Sequence, residues 1–182
     1  MPLLQLIAQT GIFEALATLP AGLQGNKDAV AETIENNVRR TIIKEHLNDP
    51  AYYSRMSELL DEIIAARKAK ALEYEEYLKQ IAALVRQVTA GQADDTPPEL
   101  KTVGARALYN NLQDGLGSVA HSREEALQLA LQIDAAVKRR RPDSWRGVQP
   151  REQVIKRTIY DVLGDANEVE RIFLIIKQQP EY

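Results

Sequence analysis

An all-α fold of about seven helices, one of them long, is what this 182-residue sequence predicts. Three observations carry that expectation. Glycine (9) and proline (8) are scarce, so long stretches contain nothing to break a helix. Capping residues stand in front of apolar stripes spaced three and four apart. Nowhere does polar and apolar character alternate with period two for long, as a half-buried strand requires, so no sheet is expected. The length suits about one domain, large enough to bury a core without disulfides.

The first expected helix covers residues 3–18 and stops before the turn Leu19-Pro20-Ala21-Gly22. Asn26 or Asp28 can cap the second, whose Val30, Ile34, Val38 and Ile42 fall four apart and form one stripe. It ends near Asn48, where Asp49 as N-cap and Pro50 at the first helical position open the next. From there to about residue 89 no breaker occurs. Forty residues of helix would be roughly 60 Å long. Met56, Leu60, Ile63, Arg67, Lys70, Tyr74, Tyr77, Ile81, Leu84 and Val88 alternate in steps of four and three, apolar at both ends and charged in the middle. That predicts a long spine whose ends pack in different places, with a wetter centre at residues 67–70 and room for a bend near Ala65-Ala66.

Residues 91–98 (GQADDTPP) are the one linker-like break. They would separate an N-terminal helical part, residues 1–90, from a C-terminal helical subdomain, residues 99–182, the whole forming one compact unit. Thr96 is the expected cap of a helix opened by Pro97-Pro98 and carrying Leu100, Val103, Ala107, Leu108 and Leu112. Ser122 with Glu125 forms a capping box for the next, which runs to Arg141-Pro142. Pro150 starts a helix stopped by Gly164, and Asp165 with Glu168 is a second capping box for the last, which buries Val169, Ile172, Phe173 and Ile176 before Pro180.

Composition excludes several chemistries. There is no cysteine, hence no disulfide scaffold, Cys-ligated metal or thiol nucleophile. No apolar run is long enough to span a membrane, and residues 3–19 lack the basic flank of a secretory leader, so a cytoplasmic protein with no membrane partner is expected. His46 and His121 have no second ligand at metal spacing and read as surface or capping side chains. The segment Gly115-Leu116-Gly117-Ser118-Val119-Ala120 matches G-x-G-x-x-A with Asp134 downstream, but follows helix-like sequence where the dinucleotide fingerprint needs a strand. It reads as a loop. No G-x-x-x-x-G-K-[ST] phosphate loop is present. The carboxylate pairs Asp61-Glu62, Glu75-Glu76 and Asp94-Asp95 lie on polar faces or in the linker and read as solvated. No catalytic, cofactor-binding or metal-ligating residue is therefore assigned.

One cluster stands apart. Between residues 138 and 157, eight basic side chains face only Asp143 and Glu152, a local net of +6 in a chain of net −3. Lys138, Arg139, Arg140, Arg141, Arg146, Arg151, Lys156 and Arg157 surround Trp145, the sole tryptophan. A basic last turn complements the preceding helix dipole. That does not account for Trp145-Arg146 or the basic start of the next helix. These nine residues are the candidate interface or polyanion-binding surface.

Six stretches, taken together and in order, resemble one family. They are residues 25–40 (GNKDAVAETIENNVRR), 49–60 (DPAYYSRMSELL), 107–112 (ALYNNL), 143–147 (DSWRG), 155–157 (IKR), and 164–165 (GD) with 168–173 (EVERIF). The chain from about residue 20 onward is similar to the C-terminal helical region of the restriction (R) subunit of type I restriction–modification enzymes. In that family this region follows a nuclease and a two-lobed ATP-driven DNA translocase, neither of which has counterpart residues here. The resemblance implies a non-catalytic helical assembly domain that docks the motor onto the methyltransferase core. Its implied partners are the methyltransferase (M) and specificity (S) subunits and the rest of the R subunit. ATP and Mg would belong only to the absent motor and nuclease. A direct DNA-binding module beside the motor is the alternative reading; a free-standing enzyme has no residue constellation behind it.

Overall fold

The computed structural model describes residues 1–114 and 119–182. Among the described residues the regular structure is ten α-helices and one short 3-10 turn, with no strand. The chain divides into two compact units. One comprises Met1–His46 and Tyr53–Asp94, the other Leu47–Tyr52 and Asp95–Tyr182. No described helix is long and apolar enough to cross a membrane.

The first unit contains α1 (Leu3–Thr10), α2 (Ile12–Ala17), α3 (Ala21–Gln24), α4 (Lys27–Glu45), α5 (Pro50–Lys68) from Tyr53 onward, and α6 (Tyr74–Ala90). Helix α4 forms as its sequence dictates. Asn26 accepts a hydrogen bond from the Ala29 N–H at 3.1 Å, and Val30, Ile34, Val38 and Ile42 are all buried. Helix α1 lies against α4 and α6, and the core is completed by Ile7, Met56, Leu60, Ile81 and Val85.

The second unit contains α7 (Val103–Asp114), α8 (Arg123–Arg140), α9 (Gln149–Leu163) and α10 (Ala166–Gln178). Each packs on the next, and α10 returns onto α7, enclosing one core of Leu108, Leu112, Ile133, Val137, Ile155, Ile159, Ile172 and Ile176. Ser122 caps α8 by accepting from the Glu125 N–H at 3.1 Å, while the Glu125 carboxylate reaches back to the His121 N–H at 3.0 Å. Asp165 caps α10 through the N–H groups of Asn167 and Glu168.

Ten helices replace the expected seven because two expected helices are each split and one expected turn forms a short helix. The helix at residues 3–18 is split at Gly11, whose φ of +93° with ψ of 161° is a conformation essentially reserved for glycine. The residues after Pro20 form the short α3 instead of only a turn. The long spine is not continuous either. It stops at Lys68 and resumes at Tyr74, with Lys70 in the left-handed region at φ +57°. The Ala71 N–H donates to the Ala66 carbonyl at 2.9 Å and the Lys70 N–H to the Arg67 carbonyl at 3.0 Å. This is a Schellman closure with lysine where glycine is usual. The physical reason is a shortage of apolar anchors: Ala65, Lys68, Ala69, Lys70 and Ala71 are all exposed. Ending the helix lets α6 bury Tyr77, Leu78, Ile81, Leu84, Val85 and Val88 within the first unit.

The spine's centre is also less wet than expected at one position. Arg67 forms a two-pronged pair with Glu35, Nε and Nη2 donating at 2.8 and 2.9 Å, and both side chains are largely shielded from water. Tyr77 Oη donates to the same carboxylate at 2.7 Å. The bond to Glu35 holds the Arg67 guanidinium more firmly protonated than usual, and burial pushes the Tyr77 phenol far up. A second shift in boundary concerns α7. It starts at Val103 with Thr102 accepting from the Ala105 N–H at 3.2 Å, not at Thr96. Pro98 disfavours helical backbone at Pro97, and these residues form a turn closed by the Leu100 N–H on the Pro97 carbonyl.

Candidate functional site

The basic segment of the second unit begins in the last turn of α8, where Lys138, Arg139 and Arg140 sit beside the unpaired carbonyls of the helix end. Arg141 leaves helical geometry because Pro142 follows it. The chain then turns sharply through Ser144 at φ +49° and Gly147 at φ +78° before α9 begins. The Gly147 N–H donates to the Glu152 carboxylate at 3.0 Å. The turn delivers Trp145 inward.

Trp145 is a core residue, 2% exposed. Its ring meets Phe173 of α10 at 5.9 Å between centroids in a tilted arrangement. The indole N–H donates to the Tyr182 main-chain oxygen at 3.0 Å. The guanidinium of Arg146 lies 4.5 Å from the indole centroid. Arg146 Nε also donates to the Lys177 carbonyl at 2.9 Å, and its Nη2 to the Gln179 carbonyl.

Much of the surrounding cationic charge is engaged within the chain. Lys138 bridges Asp134 and Glu181, both at 3.0 Å. Burial alone would lower the Lys138 pKa, but those two carboxylates outweigh it and leave the ammonium held above its ordinary value. Arg141 donates to the Glu181 carbonyl. Arg140 and Arg157 converge on Asp161 at 3.0 and 3.3 Å, and the hydrogen bond from Arg140 chiefly holds that carboxyl below its usual range. Lys156 reaches Glu170 at 3.0 Å and lies 4.8 Å from the Phe173 centroid. Arg151 donates to the Asp143 carbonyl at 2.9 Å. Arg139 is exposed and has no ion pair among the described residues.

The structure thus brings Lys138, Arg141, Trp145 and Arg146 together on residues 177–182. It sends Arg140 and Arg157 to α9, Lys156 to α10 and Arg151 back to the turn. The C-terminal residues were not singled out in the sequence, yet they complete the cluster. Glu181 spans the Gly104 N–H and Lys138, and a Cβ at Gly104 would collide with that carboxylate. Tyr182 Oη donates to Asp134, and burial raises the phenol's pKa strongly. No spacing rule links residue 181 to residue 104. The only available signal was an acidic, aromatic tail in a chain with a basic cluster.

A hollow of about 430 Å³ opens on this cluster, lined by Arg141, Pro142, Asp143, Ser144, Trp145, Arg146 and Tyr182. Among the described residues neither Arg141 nor Arg146 is within ion-pair distance of a carboxylate. Each guanidinium is oriented by backbone carbonyls and keeps further N–H donors.

A second polar constellation in this unit is built on Asp49, which caps α5 as its sequence predicts and also gathers two asparagines of α7 that no local pattern links to it. Asp49 accepts from the Tyr52 N–H at 3.2 Å, Asn110 Nδ2 at 2.9 Å and Asn111 Nδ2 at 2.8 Å. Asn111 Oδ1 accepts from the Ala51 N–H at 3.1 Å. Burial outweighs those bonds and pushes the Asp49 carboxyl up to about 6.

The remaining motifs gather no site. The G-x-G segment falls mostly on residues 115–118, outside the described residues, and α7 precedes it where a strand would be needed. His46 meets the Ser54 hydroxyl at 3.1 Å. Asp61 pairs with Arg39, and Asp95 lies 4.0 Å from Arg123. No group of three or more metal-ligating side chains occurs among the described residues. No family model, curated protein or solved structure matches this chain.

Proposed function

We propose that the chain is a non-catalytic helical assembly domain of a type I restriction enzyme's R subunit, acting in the cytoplasm. It docks the ATP-dependent translocase and nuclease onto the core of methyltransferase and specificity subunits. The observation that carries this reading is the ordered set of six family-like stretches across residues 25–173. Their content supports an architectural role. Residues 49–60 supply Asp49, and residues 107–112 supply the Asn110 and Asn111 that bond to it. Residues 143–147 supply Trp145, and residues 168–173 the Phe173 against which it packs. What the stretches have in common is packing and capping rather than titratable groups poised for chemistry.

The test is to mix the chain with the assembled methyltransferase core and measure co-elution. The reading expects a complex that persists as salt rises, because a packed protein interface depends little on counterion release. A direct DNA-binding module, the second reading, rests on the basic segment of net +6. It would instead bind duplex DNA and release it steeply with salt. Binding to DNA with no binding to the core would replace the first reading by the second.

A further inference from the structure

We propose that residues 69–73 are a hinge through which α5 and α6 straighten into one helix, so that α6 packs into a second copy of this chain. The inference starts from a conflict at the break between the two helices. From residue 51 to residue 90 the sequence holds neither glycine nor proline. Residues 65–73 (AARKAKALE) are strong helix formers, and nothing local requires a break among them. The turn is closed by Lys70 at φ +57°, a left-handed conformation that a side chain disfavours. Local preference therefore favours one continuous helix. The burial of Tyr77, Leu78, Ile81, Leu84, Val85 and Val88 within the first unit favours the bend.

The contacts around Glu35 select a second copy over a single opened chain. Glu35 is 5% exposed and accepts from Arg67 on one side of the break and from Tyr77 on the other. On a straight helix these two residues would stand about 15 Å apart along the axis, and Glu35 would lose its present pairing with both. Straightening within one chain therefore strips a buried carboxylate of a partner and leaves the apolar face of α6 in water. Exchange avoids both losses. The α1 and α4 helices of a second copy present the surface on which α6 already packs, and its Glu35 receives the incoming Tyr77 while keeping its own Arg67. Everything after the hinge moves with α6, so Asn110 and Asn111 remake their bonds to Asp49 of the second copy. The exchanged pair keeps the contacts of two separate chains and releases Lys70 in each. This goes beyond the docking reading and does not depend on it.

The full chain is refolded at rising concentration and followed by size-exclusion chromatography with light scattering. The expected result is a slowly reverting species of twice the monomer mass whose share grows with concentration. Because the chain has no cysteine, Arg55→Cys with Thr89→Cys puts one spin label at each exposed end of the α5–α6 pair. In the bent form these ends are close, since the Tyr53 hydroxyl lies 3.5 Å from where a Gly91 Cβ would stand. Doubly labelled chain diluted into unlabelled chain should instead give, in the dimer, an intrachain distance of about 50 Å, the length of straight helix between the labels. Glu73→Pro suits the bend, where residue 73 has φ −65°, and interrupts a continuous helix, so it should weaken dimerisation about a hundredfold. Lys70→Gly also favours the bend and should weaken dimerisation about tenfold. A chain that stays monomeric after refolding at every concentration overturns the proposal. So does a dimer whose labels remain close, or one that both variants leave unchanged.

Discussion

Replacing Trp145 by alanine separates a structural ring from a docking ring. The side chain is 2% exposed, packs on Phe173 and donates its indole N–H to the Tyr182 main-chain oxygen at 3.0 Å. Truncating a buried tryptophan costs about 3–5 kcal/mol through lost transfer energy and the cavity left behind. Losing the hydrogen bond to that buried oxygen adds about 1 kcal/mol. The stacked Arg146, which is exposed, adds roughly 0.5 kcal/mol more. Trp145→Ala should therefore destabilise the second unit by about 5 kcal/mol, a large share of the 5–15 kcal/mol of a whole domain. At this chain length that corresponds to a fall in Tm on the order of 10–20 °C. Trp145→Phe keeps an aromatic ring against Phe173 and should cost only about 1–2 kcal/mol. Urea unfolding followed by far-ultraviolet circular dichroism measures both without relying on the tryptophan itself. An alanine variant within 1 kcal/mol of the parent would refute the packing argument, and accompanying loss of binding to the core would make the ring an interface anchor instead.

Three further outcomes follow from the geometry. Lys70 occupies a left-handed C-terminal position, so Lys70→Gly should stabilise the first unit by about 1 kcal/mol; a continuous helix through residue 70 would make the same change destabilising by a similar amount. Arg67→Ala strands the Glu35 carboxylate and should cost about 3–5 kcal/mol in a chemical denaturation series, whereas Arg67→Met with Glu35→Gln should cost clearly less than the sum of the single changes. Asp49 is raised in the fold from 3.8 to about 6, so the native state holds its proton more tightly than the unfolded chain. Its contribution is most favourable below pH 3.8 and is lost as pH rises through about 6, by roughly 3 kcal/mol at most; the difference in urea midpoint between the parent and Asp49→Asn should change across that window, and a flat difference would contradict the burial argument.

Helix α4 was legible because its stripe and its Asn26 cap are local: the residues that make it lie within a few positions of one another. The same holds for Ser122 before α8 and Asp165 before α10. The break between α5 and α6 was not legible, since the closing residue is a lysine in a conformation that sequence pattern assigns to glycine. What ends α5 is the absence of anything apolar to bury near residue 69, and that depends on tertiary placement. The basic cluster shows the same division. Its charges and its tryptophan are contiguous and stand out from composition alone. The carboxylates that offset them, Asp161, Glu170 and Glu181, come from later elements, so the compensation emerges only when α8, α9 and α10 pack. Asp49 lies some sixty residues from Asn110 and Asn111, and no periodicity joins them.

The assembly claim is tested most directly by competition in a reconstituted type I enzyme. Isolated chain is added in excess to methyltransferase core, full R subunit, unmodified site-bearing DNA and ATP, and cleavage is followed. If this chain is the docking domain, it occupies the core in place of the full subunit, and cleavage falls towards zero as its concentration rises, with no ATP turnover from the chain alone. Cleavage that stays unchanged at saturating chain would contradict the account.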